Sequence, residues 1–136
     1  MTPTEQSIGG LSLTAYLWVA LGGILGACAR YMLARAVARF AGTDFPYGTL
    51  LINVSGSLIL GFFMIWSSER ALVDQRLRLF LAIGFCGAFT TFSSYAFESF
   101  AYFEQGHWTL FATNVLANNV LCLAAVIAGA AIARSL

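Results

Sequence analysis

From Leu79 to Phe97 the chain carries no charged residue, a run long enough to cross a bilayer, yet its middle is chemically uneven. Gly84 and Gly87 interrupt it, and Thr90, Thr91, Ser93 and Ser94 surround Phe92. Lipid offers no hydrogen bonds, so a spanning segment must satisfy its backbone internally, and helices break only where hydroxyls or neighbouring helices re-satisfy the freed groups. Glycines and hydroxyls at this depth predict a helix broken at mid-membrane, the device by which membrane proteins expose carbonyls and amides to ions. A helix merely kinked and packed by small residues is the plainer reading of the same pattern.

The rest of the chain fits one membrane domain over residues 1–136. It is 60% hydrophobic and 10% charged, with a mean hydropathy of +0.81. Soluble domains carry about a quarter charged residues. A net charge of +1 leaves no basic footprint for nucleic acid. Four spans are expected, about 13–33, 49–66, 79–97 and 108–133, since about 20 apolar residues suffice to cross. Met1 to Ser12 reads as a frayed polar terminus without the basic start of a signal peptide. Arg35, Arg39 and Asp44 mark the first loop, and Pro46 suits the start of the second helix. Gly22 and Gly26, then Ser57 and Gly61, form small-residue faces for close helix approach.

Four spans put both ends of the chain on one side, with Arg70, Arg76, Arg78 and Arg134; Arg35 and Arg39 lie on the other, with Arg30 nearby. Orientation follows the imbalance of basic residues between short loops. This imbalance is weak, so the sequence permits insertion either way.

His-based catalysis is poorly served, because His107 is the only histidine and sits in a loop. Cys28, Cys86 and Cys122 fall in different spans and match no metal spacing. What remains is neutral polarity at membrane depth. Asn53 lies in the second span, and Asn114, Asn118 and Cys122 recur every four residues in the fourth, with Asn119 beside them. Residues at i, i+4 and i+8 share a helix face. Such groups serve either as interhelical glue, worth about 0.6 kcal/mol each, or as the wall of a path. Phe85, Phe89 and Phe92 also read as one helical face, with Tyr95 beyond it. Ring edges are positive, and together with N–H and O–H donors they suit a small anion without a fixed cation that would trap it.

Three blocks resemble the Fluc or CrcB family of small dimeric fluoride channels: Gly22-Gly-x-x-Gly26-Ala-x-x-Arg30-Tyr31, Pro46-x-Gly48-Thr49-Leu50-x-x-Asn53-x-x-Gly56-x-x-x-x-Gly61, and Gly84-x-x-Gly87-x-x-Thr90-Thr91-Phe92-Ser93-x-x-x-x-Glu98. The resemblance implies an all-α antiparallel, dual-topology homodimer in a bacterial inner membrane, with two fluoride pores along the subunit interface. It implies that Asn53 is the pore asparagine and Phe92 the first ring of a pore-lining pair. Ser93, Ser94 and Glu98 would lie along one end of the path, and Arg30 near its vestibule. Gly87 and Thr90 would offer carbonyls to a sodium ion on the two-fold axis. The chain departs from the family at Tyr95, where the second ring is usually phenylalanine, and at Asn114, Asn118 and Cys122, where the polar track usually carries tyrosine, serine or threonine. Two competing classes remain: a four-helix exporter of cationic drugs, which would want a carboxylate in the first span where this chain has Arg30, and a non-conducting scaffold.

Overall fold

The computed structural model describes residues 12–70 and 73–136; the expected frayed terminus before Ser12 and part of the second loop lie outside the described residues. Four long helical stretches are apolar enough to cross a membrane, and no strand occurs among the described residues. Helix α1 is Leu13–Ala41 and α2 is Tyr47–Glu69. The third span begins with α3, an α-helical turn Gln75–Arg78 followed by π-helical Leu79–Cys86 and α-helical Gly87–Phe89. After a break it resumes as α4, Phe92–Glu104. Helix α5 is Trp108–Ser135.

The helices outrun the apolar cores that announced them. Expected to end near Leu33, α1 continues through Arg35 and Arg39 to Ala41. At 29 residues it is about 44 Å long, against about 30 Å of hydrocarbon. The arginines mark where lipid tails end, not where the helix ends; cations are favourable near a helix C-terminus, where unpaired carbonyls gather. Arg35 is held by Tyr31 one turn back, through a 3.0 Å bond to its hydroxyl and a guanidinium 5.6 Å from its ring centre. Gly42, at a φ of 78°, then turns the chain. Pro46 sits just before α2 and its carbonyl accepts from Leu50 N–H at 3.1 Å.

The helices form two parallel pairs. Helix α1 lies on α3, where Gly22, Gly26 and Gly84 let the backbones touch: a Cβ on Gly84 would lie 2.6 Å from the Val19 carbonyl and 2.9 Å from Gly22 Cα. The wide π turns fall on this stretch. Helix α2 lies on α5, where a Cβ on Gly61 would come within 2.9 Å of Val126 Cα and one on Gly129 within 2.7 Å of Phe62 N. Small residues do here what apolar bulk does in water, because lipid tails supply no hydrophobic drive for helix pairing. Ser57, expected beside Gly61 in this contact, instead lines a cavity. At the end of the α2–α5 pair, Glu69 and Arg134 approach to 4.0 Å, and Arg78 donates to the Ser67 carbonyl. Both contacts gather at the end expected to hold both chain termini.

Candidate functional site

The break comes at Thr90 and Thr91, whose backbones are extended (φ −75°, ψ 155° and φ −148°, ψ 106°). The glycines do not break the helix: Gly87 keeps helical angles, and Gly84 is pressed against α1. The hydroxyls and one asparagine do. Asn53 reaches from α2 and pairs with Thr91 as a second peptide would, its Oδ1 accepting Thr91 N–H at 2.8 Å and its Nδ2 donating to Thr91 O at 3.1 Å. Thr91 Oγ1 caps α4 by accepting Ser94 N–H at 3.2 Å, and it donates to Ser94 Oγ at 3.0 Å. Thr90 Oγ1 returns a hydrogen bond to the Cys86 carbonyl at 2.9 Å.

These substitutions release particular carbonyls. In a continuous helix Gly87 O would accept Thr91 N–H, and Thr90 O would accept Ser94 N–H. Here the first N–H goes to Asn53 and the second to Thr91 Oγ1. Beside Gly87 the space is open, with nothing within 4 Å of a Cβ built there.

From Asn53 a buried amide ladder climbs α5. Asn53 Nδ2 also donates to Asn118 Oδ1 at 3.1 Å, and Asn118 Nδ2 donates to both oxygens of Asn114, the carbonyl at 3.1 Å and Oδ1 at 2.9 Å. Asn114 Nδ2 donates to Ser99 Oγ at 2.9 Å, and Ser99 Oγ to the Tyr95 carbonyl at 2.8 Å. Asn53, Asn118, Asn114 and Ser99 are all buried within the chain. The four-residue spacing therefore did mark one polar face. Within the chain, however, the amide hydrogens of Asn53 and Asn118 are fully spent.

The aromatic face expected over Phe85, Phe89 and Phe92 does not exist as one surface. Helical periodicity does not carry across two extended residues, so the rings separate into two pairs. Phe85 and Phe89 stack at 5.5 Å on α3, while Phe92 and Tyr95 meet edge to face at 5.2 Å on α4. Phe92 is 76% exposed and Tyr95 only 9%. Ser93 and Ser94 are exposed on the first turn of α4.

Two cavities flank α4. The first, of about 380 Å³, has Asn53, Phe92, Tyr95, Asn118, Asn119 and Cys122 in its wall. The second, of about 360 Å³, has Thr49, Glu98 and Tyr102. There Thr49 Oγ1 donates to Glu98 Oε1 at 2.6 Å, and Glu98 Oε2 is buried with no partner among the described residues. Tyr102 donates to the Asp44 carbonyl at 2.8 Å. Arg30 is in the wall of neither cavity and makes no hydrogen bond among the described residues; Ser93 and Ser94 also lie outside both walls. Cys86 is buried and Cys28 exposed, with neither in a cavity wall.

Sequence reasoning missed Thr49 as the partner of Glu98, Ser99 as the end of the ladder, and the pairing of Asn119 with Tyr95. Thr49 and Asn119 were at least visible, one inside a matching block and the other inside the asparagine cluster.

Four apolar spans, a break clamped at its middle and a buried amide ladder beside it define a multi-pass membrane protein with polar groups set into its interior. The family model described as "CrcB-like protein, Camphor Resistance (CrcB)" matches residues 17–130. The fluoride-specific ion channel FluC of Koribacter versatilis (strain Ellin345) is 61% identical over 126 residues, covering 93% of this chain and 100% of that protein. The fluoride-specific ion channel FluC of Legionella pneumophila (strain Lens) is 50% identical over 119 residues, 88% of this chain and 89% of that protein. That of Geobacter metallireducens is 46% identical over 118 residues, 87% and 95%. The chain belongs to the CrcB family, whose relatives named here are ion channels and not enzymes.

Proposed function

We propose that the chain is a fluoride-selective passive channel, working as an antiparallel homodimer in a bacterial inner membrane with two pores along the subunit interface. The observation that carries this reading is the surface of α4 beside the break. Phe92 is 76% exposed there, next to the exposed hydroxyls of Ser93 and Ser94 and in the wall of a cavity that Asn53, Tyr95, Asn118 and Asn119 also line. Hydroxyls and released carbonyls do not face hydrocarbon, so this surface calls for a protein partner, and a second copy is the simplest. The ring edges of Phe92 and Tyr95 and the hydroxyl donors beside them attract a small anion weakly enough to release it. Asn53, Asn118 and Cys122 form the inner wall of that path, with Asn114, fully buried and in neither cavity wall, bracing Asn118 from behind. Glu98 stands at its far end, and Arg30 belongs to the vestibule. Fluoride entering the cell as neutral HF dissociates and leaves down its gradient, which gives resistance.

A structural sodium ion belongs to the same proposal, and the residues fit it. The carbonyls of Gly87 and Thr90 have lost their helical N–H partners, and the space beside Gly87 is open. Unwound carbonyls are the usual sodium ligands of broken membrane helices. No group of three or more His, Cys, Asp or Glu stands ready for a metal among the described residues. Bound there, the ion would tie the two breaks together. Gly87→Leu is therefore expected to leave the single subunit folded, because a Cβ at this position has nothing within 4 Å in the chain, yet to weaken dimerisation about tenfold or more, about 1.4 kcal/mol. Replacing sodium by a large organic cation should weaken the wild-type dimer likewise. A dimer constant unmoved by both changes, measured in detergent by subunit exchange, removes the sodium site.

The channel itself is tested by efflux from liposomes holding the purified protein, followed with fluoride- and chloride-selective electrodes under a potassium–valinomycin potential. Rapid fluoride loss with chloride retained is expected. Folded dimer that passes no fluoride overturns the reading.

A further inference from the structure

Tyr95 and Asn119 form a pair whose hydrogen-bond direction is fixed by a third group. Asn119 Nδ2 donates to the Val115 carbonyl at 2.8 Å, and a carbonyl can only accept, so the nitrogen of this amide is identified by its own helix. The same nitrogen lies 3.1 Å from Tyr95 Oη. Having no lone pair to offer, it must donate there too, and the tyrosine hydroxyl must accept. The hydroxyl proton is thus left over, and Tyr95 donates to no group among the described residues. Tyr95 is 9% exposed, and both it and Asn119 are in the wall of the first cavity, beside the break and Phe92.

We propose that Tyr95 Oη–H is an anion-contacting donor in the fluoride path and that Asn119 is the positioning residue that keeps it one. The assignment rests on the channel reading above and adds a specificity element to it. Within the subunit the Asn53 and Asn118 amides have no hydrogen left to give, since each is committed to the break or the ladder. The Ser57 hydroxyl in that wall also makes no hydrogen bond among the described residues, but of these two free hydroxyl protons it is that of Tyr95 that stands beside Phe92, in edge contact with its ring. Fluoride is the strongest hydrogen-bond acceptor among the halides and gains most from such a group. Asn119, by filling the acceptor side of the hydroxyl, points its proton away from α5 and toward the cavity.

Three variants read this out in liposomes: Tyr95→Phe, Asn119→Leu and the two together, with initial fluoride efflux measured against internal fluoride concentration. Tyr95→Phe keeps the ring and its edge contact with Phe92, and removes only the donor. It should raise the half-saturating fluoride concentration about ten- to a hundredfold, the worth of one hydrogen bond to a charged group, without lowering the maximal rate. Asn119→Leu should shift it in the same direction by less, and should change nothing in the Tyr95→Phe background. A purely structural role would instead lower the yield of dimer and the maximal rate, and leave half-saturation where it was. Incorporating 3-fluorotyrosine, a stronger donor of almost the same shape, should lower half-saturation in wild type, and do so no longer once position 95 is phenylalanine.

Each result decides something. Wild type that conducts fluoride while Tyr95→Phe stays within about twofold of its half-saturation, less than one bond to a charged group, overturns the donor assignment and leaves the channel standing. An Asn119→Leu effect that survives in the Tyr95→Phe background overturns the positioning role. Wild type that passes no fluoride overturns the channel, and this inference with it.

Discussion

Phe92→Ile is expected to cut fluoride efflux at least about a hundredfold, an added barrier of about 2.7 kcal/mol, while the protein still purifies as a folded dimer. The residue stands 76% exposed on the first turn of α4, in edge-to-face contact with Tyr95 at 5.2 Å. Little within the subunit depends on it. Its ring edge carries partial positive charge, and isoleucine fills comparable space with none. An anion crossing at this depth has lost hydration and has no cation to lean on, so the loss falls on the barrier and not on the fold. Liposome efflux beside size-exclusion chromatography separates the two. Unchanged flux through folded Phe92→Ile protein would take the pore away from this face.

Asn53→Leu should fail in the opposite way, through the fold. Asn53 supplies the acceptor for Thr91 N–H and a donor to both Thr91 O and Asn118 Oδ1, all buried. Leucine leaves the Thr91 N–H and the Asn118 oxygen without partners. Each orphaned buried group costs about 1–3 kcal/mol, about 2–6 kcal/mol for the two. The expected result is a large drop in thermal stability, followed by size-exclusion of heated samples, with loss of flux secondary to it. Full stability in this variant would mean that the break holds without the clamp.

The spans were legible because lipid imposes a plain rule, about 20 apolar residues to a crossing. Their ends were not. Charge reports where hydrocarbon stops, whereas a helix stops where its backbone finds another arrangement, and α1 finds none until Gly42. That the third span breaks was legible from Thr90, Thr91, Ser93 and Ser94; where it breaks was obscured by two glycines that serve other ends, Gly84 pressed on α1 and Gly87 beside open space. Asn114 and Asn118 could be placed on one face by their spacing. Whether their amides were spent or free depended on Asn53 and Ser99, brought in from other helices. The Tyr95–Asn119 pair joins residues 24 apart in the chain, and no local period announces it.

The clamp on Thr91 comes from the same chain, out of α2, and this bears on how the protein is made. A newly synthesised copy released into the bilayer already holds its interrupted helix in shape, with the freed backbone N–H and carbonyl of Thr91 paired before it has met anything else. Whatever then covers Phe92, Ser93 and the open side of Gly87 joins a finished surface. Little ordering entropy is left to lose at that encounter, so a partner meets this surface already in the shape it binds.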